Sequence, residues 1–363
     1  MAVTAATDHA PPIDGMKVFG FMNRVMTDMS GAVTSIMCTL GDRLGLFKEL
    51  ARNGPATSHE LAERAGIDAR YAREWLSALA SAGYLEYDPE TERFVLPEEH
   101  VMALAAEGSP MFMGGAFQQL PGLFGPLDEL TRVFRDGGGI PAERYSHDLY
   151  SGMERISAGW FEHLLVQQWL EAVPDVRERL ERGADVADVG CGSGVALLTL
   201  ARAFPESRFV GFDVFPASLE RARARADDAG LNGRLRFEEH DVLEGLPGRY
   251  DLVTAFDVLH DLPEPVRVLE GIRTALGPEG VFLLLEINCS DRLEENTGPF
   301  ASILYGTSVL FCTPTSLAAG GDGLGTMGLP EPKARALCEQ AGFSRFRRLP
   351  VDNPFNVLYD VRP

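Results

Sequence analysis

The 363-residue chain is short of base: 33 Lys and Arg stand against 53 Asp and Glu, a formal net charge of −20. Binding to a phosphate backbone rests on clustered cations, so this balance argues against nucleic acid as substrate or partner. Cysteine is sparse too. The five cysteines (38, 191, 289, 312, 338) are scattered with no CxxC pair, which indicates neither a disulfide framework nor zinc, and no metal is expected. Such cysteine use suits the cytoplasm. No apolar run approaches the length of a membrane span, so no membrane partner is expected. The opening MAVTAATDHAPPIDG lacks the charged-then-apolar order of a signal peptide, and residues 1–14 read as a disordered tail. What remains is a chain with 45% apolar residues, enough for one large domain and a smaller one.

The most informative stretch is Val186-Ala-Asp-Val-Gly-Cys-Gly-Ser-Gly194. Its start reads as the end of a buried strand, and Val195 to Ala203 as a helix. The glycines Gly190, Gly192 and Gly194 let the backbone turn sharply and approach a ligand, whose polar end meets free N–H groups at a helix N-terminus. Further apolar strands follow, each with an acid at its tip: Arg208 to Val214 with Asp213, Leu235 to His240 with Asp241, and Tyr250 to Phe256 with Asp257. A fifth, Val281 to Glu286, follows Gly277-Pro-Glu-Gly280, read as a helix stop and turn. Strands alternating with helices imply an α/β fold with a doubly wound parallel sheet, whose ligands bind beyond the carboxyl ends of the strands. An acid at the tip of the second strand is placed to hold two ribose hydroxyls.

The run VADVGCGSG, then Asp213, Asp241 and YDLVTAFDVLHDLPEP resemble the ordered motifs of class I S-adenosylmethionine-dependent methyltransferases, over roughly residues 150–363. The resemblance implies a seven-stranded, Rossmann-like sheet and S-adenosyl-L-methionine as cofactor. It implies that Asp188 and the turn Gly190, Cys191, Gly192 and Gly194 hold the methionine end, with Cys191 serving as a small residue. Asp213 would hold the ribose, Val214 would pack on adenine, Asp241 and Val242 would border the adenine, and Phe256 and Asp257 would sit near the methionine moiety. The rival, a nicotinamide-binding Rossmann domain, expects its third glycine three residues after the second, whereas Gly194 follows Gly192 by only two.

Towards the N-terminus, Met16 to Ala51 reads as one or two amphipathic helices broken near Gly31 and Gly41, either packed on their own domain or buried against a partner subunit. Thr57 or Ser58 begins a helix that stops at Gly66. Asp68 caps the next helix, Ala69 to Ala82, and Tyr84–Tyr87 with Arg93–Leu96 read as a hairpin. Helix, turn, helix and hairpin make a winged helix over 15–102. Its usual association is DNA binding, but residues 57–100 hold ten acids and four arginines. The module resembles the winged helix of small-molecule O-methyltransferases of plants and actinobacteria, where it serves dimerisation, and a homodimer is the expectation. Residues 103–182 form a helical linker with a flexible loop at Gly137-Gly-Gly139, followed by a long amphipathic helix from Tyr150 to Leu170. The resemblance implies that this linker lines the acceptor pocket, which makes Met153 and Phe161 candidate substrate residues; the plainer alternative is core.

Residues 183–363 complete the cofactor domain. Within it Asp261-Leu-Pro-Glu264 reads as a capping box, so a helix begins right after His260. That places His260 beyond the fourth strand, on the ligand side. Methyl transfer to a hydroxyl needs a base, and histidine titrates near neutrality. By the resemblance His260 is the candidate base, against the alternative of packing near the sulfonium; the family's Trp after His-Asp is Leu262 here. Pro299 to Leu310 reads as a helix carrying the substrate candidate Tyr305, and Ala318 to Gly328 as a glycine-rich lid or a solvated loop. Two antiparallel strands close the chain. The expected function is methylation of a small-molecule acceptor at oxygen; the alternative is a winged-helix regulator whose methyltransferase-like domain senses a metabolite.

Overall fold

The computed structural model describes residues 13–351 and 353–363, so the expected tail lies almost wholly outside the described residues. The chain divides into two compact units between Ala105 and Ala106.

In the first unit, Asp14 accepts the Met16 and Lys17 N–H groups and starts α1, Gly15–Arg43. This helix runs unbroken through Gly31 and Gly41, contrary to the sequence reading, and ends at Leu44 and Gly45, where φ turns to +69°. A helical glycine costs only about 1 kcal/mol against Ala. At Gly41 packing offsets it, since a Cβ would stand 2.5 Å from the Trp75 ring and 2.7 Å from Phe47. After α2 (Leu46–Asn53), Thr57 and Glu60 form a reciprocal capping box on α3 (Ser58–Ala65), and Asp68 caps α4 (Ala69–Ser81). Buried Trp75, Leu76 and Leu79 line one face of α4. An antiparallel pair, β1 (Glu86–Asp88) and β2 (Arg93–Val95), makes the wing, and α5 (Glu98–Leu104) follows.

The second unit opens with α6 (Gly114–Phe124), α7 (Leu127–Asp136) and α8 (His147–Trp160). The loop before α8 is less free than its glycines suggest: a Cβ on Gly139 would meet Pro314 O and Ala318 N at 2.2 Å. The long helix expected from Tyr150 starts at His147 and changes winding at Phe161, running as a π-helix to Trp169. Such segments cluster at functional sites. α9 (Pro174–Arg182) leads into the sheet, built from β3 (Asp185–Val189), α10 (Val195–Ala203), β4 (Arg208–Asp213), α11 (Pro216–Asp228), β5 (Leu235–Glu239) and β6 (Tyr250–Phe256). Next come α12 (Pro265–Ala275), β7 (Leu276–Ile287), α13 (Gly298–Thr307), α14 (Thr313–Ala318), α15 (Glu331–Gln340), β8 (Arg345–Arg348) and β9 (Asn356–Arg362).

Seven strands lie in the order β5-β4-β3-β6-β7-β9-β8, with the β7–β9 and β9–β8 pairs antiparallel and the other pairs parallel. Alternation divides the core between the two faces. Val186, Phe209, Leu283 and Leu285 pack with Leu197 and Trp169, while Val189, Phe212, Phe282 and Leu284 pack with Leu269 and Tyr359. Gly277 to Gly280 belong to β7 rather than to a turn: Tyr250 pairs with Leu276 and Leu252 with Val281, so the intervening residues bulge. The helix after His260 also differs. Leu259–Asp261 is a 3₁₀ turn, α12 starts at Pro265, and Glu264 makes no side-chain cap. Gly298–Ala318 is a continuous helical run long and apolar enough, by composition, to cross a membrane. Here its Phe311 and Cys312 enter a third core cluster with Leu123, Leu149 and Ile140.

Candidate active site

The carboxyl ends of β3, β4 and β6 meet at the glycine turn. Gly190, Gly192 and Gly194 all have positive φ, between 52° and 77°. A Cβ on Gly190 would strike Val258 at 2.5 Å and one on Gly194 would strike Phe237 at 2.4 Å, whereas one on Gly192 would meet nothing within 4 Å. The outer glycines therefore allow close packing, and the middle one leaves a backbone cradle open to a ligand. Asp213 braces that cradle: Oδ2 accepts the Gly192 N–H at 2.8 Å and Oδ1 the Phe215 N–H at 2.9 Å. Burial raises its carboxyl above the ordinary range, while these N–H groups pull it down. Asp188 is buried on β3 and accepts from Thr254 Oγ1 at 2.6 Å. Desolvation pushes it up to about 7, against that hydrogen bond. Cys191 is buried against Gly211 and packs as a small residue.

At the tip of β4, Val214 is 49% exposed, an apolar shelf beside the cradle. Asp241 is exposed and accepts the Leu243 N–H at 2.9 Å. Its neighbour Val242 turns inward, into the cluster with Phe212 and Tyr250. An open backbone cradle flanked by carboxylates and an exposed apolar shelf fits a ligand with a charged end, a sugar and a flat base. A separate cavity of about 560 Å³, among His240, Leu243, Pro247, Arg267 and Gly271, contains none of the candidate residues.

Beyond β6 the candidates converge on a second centre. Phe256 packs against Phe161 at 5.4 Å and Trp169 at 6.3 Å between ring centroids, so the π-helical stretch meets the strand end. Asp257 has φ of +55°, and both its oxygens accept from Asn356 Nδ2, at 2.7 and 2.8 Å. Desolvation, with Glu286 nearby, raises it to about 7. His260 is 4% exposed. Its Nδ1 lies 2.7 Å from Oε2 of Glu286, which is wholly buried and whose Oε1 accepts the Leu259 N–H at 3.1 Å. A carboxylate can only accept, so Nδ1 carries the proton and Nε2 holds the lone pair of the neutral ring. Desolvation works to lower the imidazole pKa. The charges of Glu286 and Asp261 and hydrogen bonds to Cys312 and Glu286 outweigh it, and hold the pKa well above the ordinary value. Met153 packs on the cluster of Phe311 and Cys312, the cysteine that touches His260. Tyr305 stands apart, its hydroxyl accepting from Asn296 Nδ2 at 3.1 Å.

The sequence reading missed Glu286 as a partner, although an acid ending an apolar strand was its visible signal. It also missed a clamp on the glycine turn. Arg225 of α11 donates to Ser193 Oγ at 2.7 Å and pairs with Glu154 of α8, which also receives Arg221 at 3.3 Å.

Residues 180–305 match a family profile described as a methyltransferase domain, and residues 32–106 one described as an Rv2258c-like winged HTH domain. Polyketide synthase ThaQ of Burkholderia thailandensis is 32% identical over 117 residues, which are 32% of this chain but 6% of ThaQ. The mitomycin biosynthesis 6-O-methyltransferase of Streptomyces lavendulae is 25% identical over 311 residues, 83% of each chain. Among solved structures, the mitomycin 7-O-methyltransferase MmcR superposes with a TM-score of 0.70 at 22% identity, covering 96% of this chain and 99% of MmcR. The chain thus carries a methyltransferase domain over residues 180–305, preceded by a winged helix-turn-helix domain over residues 32–106.

Proposed function

We propose that the enzyme methylates a small-molecule acceptor at oxygen, with His260 as the general base and Glu286 as the residue that positions it. The carrying observation is the buried imidazole–carboxylate pair at 2.7 Å. When bound, S-adenosylmethionine supplies an electrophilic methyl group on a sulfonium. Asp188, the Gly190–Gly194 turn and Asp213 hold the cofactor, and Val214 gives its base an apolar seat. Neutral His260 takes the acceptor's hydroxyl proton on Nε2, while Glu286 fixes the ring and stabilises the charge it acquires. Phe161 and Met153 wall the acceptor side and exclude water.

Replacing His260 with Ala is expected to lower turnover by roughly two to four orders of magnitude while cofactor affinity stays nearly intact. The test requires an acceptor whose pKa is well above the assay pH. Full activity of that variant would retire the base and leave proximity as the source of rate.

We further assign a homodimer, formed through α1. Phe19, Phe21, Met26, Met29 and Val33 are each more than half exposed, and only the C-terminal part of α1 contributes buried residues, Cys38, Thr39 and Gly41. An apolar surface of this extent on a soluble protein marks an interface. The winged helix carries acids where a duplex-binding module needs cations, so it serves this assembly rather than DNA. Five free cysteines suit a reducing compartment, the cytoplasm.

A further inference from the structure

Around His260 lies a constellation that methyl transfer does not require. The donor atoms of His260, Asp261 and Cys312 all lie within 4.8 Å of one another. Asp261 Oδ1 is buried and receives no hydrogen bond, although the side chain as a whole is 31% exposed. It sits 3.6 Å from His260 Nε2. In a tetrahedral zinc site with bonds of about 2.0–2.1 Å to nitrogen and oxygen, those two atoms would stand about 3.4 Å apart. The third donor, Cys312 Sγ, is buried and takes a hydrogen bond from Thr326 Oγ1 at 2.9 Å. With Nδ1 held by Glu286, Nε2 is the nitrogen left to coordinate, and a carboxylate behind the imidazole is the usual support of a metal-bound histidine.

We propose that His260, Asp261 and Cys312 form an inhibitory binding site for Zn²⁺. One nitrogen, one carboxylate oxygen and one thiolate suit a borderline-soft ion, whereas Mg²⁺ and Ca²⁺ want oxygen alone. Binding displaces the protons of the imidazole and the thiol, and the neutral imidazole, carboxylate and thiolate that remain carry two negative charges together, so a divalent ion leaves this buried site neutral. The exposed part of Asp261 gives the ion its way in, and three protein ligands leave a fourth position for water. Zinc on Nε2 occupies the lone pair that would accept the acceptor's proton. Binding stands independently of the base assignment; inhibition rests on it.

The test uses the full chain, stripped of metal with a chelator and titrated with Co²⁺ as a spectroscopic stand-in, then with Zn²⁺ against a chromophoric chelator. One Co²⁺ per chain with a thiolate-to-cobalt charge-transfer band is expected, and Zn²⁺ should displace it. Cys312→Ser should abolish the band, Cys289→Ser should keep it, and Asp261→Asn should weaken Zn²⁺ by at least about tenfold. Asp261→Asn, at a partly exposed side chain, carries the test should Cys312→Ser fail to fold. Absence of the band, its persistence in Cys312→Ser, or Zn²⁺ affinity untouched by Asp261→Asn would each overturn the site without touching the base assignment. In methyl-transfer assays, Zn²⁺ should inhibit the native enzyme at concentrations that Asp261→Asn tolerates. Zinc bound at this site without inhibition would overturn the inhibitory role, and the base assignment with it.

Discussion

Exchange of Glu286 for Gln tests the proposed base through a quantity that a merely structural role would not move. The native imidazole is pulled two ways: burial lowers its pKa, and the charges of Glu286 and Asp261 more than reverse that. Only the neutral ring accepts a proton, so native turnover should rise with pH along a limb above the ordinary histidine range. The groups facing the ring are Glu286, Asp261, Cys312 and, a step further, Asp257 and Cys289. A Gln amide oxygen can still accept from Nδ1 and keep the ring oriented, at the cost of the Leu259 N–H bond that the other oxygen now accepts, while the charge goes. An opposite charge at this distance is worth about 1–3 pKa units, so the limb should fall by that amount, each unit being about 1.4 kcal/mol. Burial then acts with less opposition, and a larger share of the ring is neutral at any given pH. Its plateau rate should nonetheless drop, because the ring is a weaker base and its positive form has lost its counter-charge. The assay is kcat against pH with an acceptor that stays protonated throughout. A limb that does not move, in a variant that binds cofactor normally, would refute the reasoning.

Asp188→Asn keeps an acceptor for Thr254 but removes a carboxyl raised from 3.8 to about 7. A raised carboxyl is unfavourable in the folded state above pH 7 and ceases to be so as pH falls towards 3.8, so the variant should be more stable at pH 8, by on the order of 4 kcal/mol, with little difference near pH 3.8. Thermal melts at the two pH values check this. Asp213→Ala removes the acceptors of the Gly192 and Phe215 N–H groups, and calorimetry should show S-adenosylmethionine affinity falling sharply in a folded protein. Paired Phe19→Glu and Met26→Glu should give a soluble monomer by light scattering; an unchanged dimer would place the interface elsewhere. Random duplex DNA should not bind at physiological salt, and a salt-sensitive gel shift at low protein concentration would revive the regulator.

Much of the fold was legible because it rests on local signals. Apolar runs ending in acids became β4, β5 and β6, and Thr57 with Glu60 formed the capping box that opens α3. The failures arose where a distant residue outweighed a local pattern. Asp261 and Glu264 had the spacing of a cap, but Glu286 draws in the Leu259 N–H and the His260 ring, and the chain takes a 3₁₀ turn instead. Gly277 and Gly280 looked like a turn, but the strand continues to Leu276 through a bulge. Gly31 and Gly41 looked like breaks, but α1 runs through both and Gly41 is filled by neighbouring rings. In the site, Asp213 accepts the Gly192 N–H, a link that the sequence did not suggest, and Val242 faces the core. The π-helical stretch Phe161–Trp169 leaves no mark in hydrophobic periodicity.

The acid crowding around His260 bears on why oxygen is the proposed target. Asp257 is raised to about 7 by burial first and by the charges of Glu286 and Asp261, while His260 lowers it. One imidazole therefore faces three carboxyls, and a proton on its ring relieves all of them. The desolvation of Glu286 is a cost met on folding, since it is wholly buried before any acceptor arrives. Its charge is then in place for the imidazolium without reorganisation, the arrangement by which fixed charges lower barriers most. An amine attacks through its own lone pair and can shed its proton afterwards to water. A hydroxyl is a poor nucleophile until its proton is taken, so it is the acceptor that gains most from a site built to receive one. A hydroxyl acceptor should therefore lose far more rate than an amine analogue when Glu286 is replaced by Gln, and equal losses would remove the argument for oxygen.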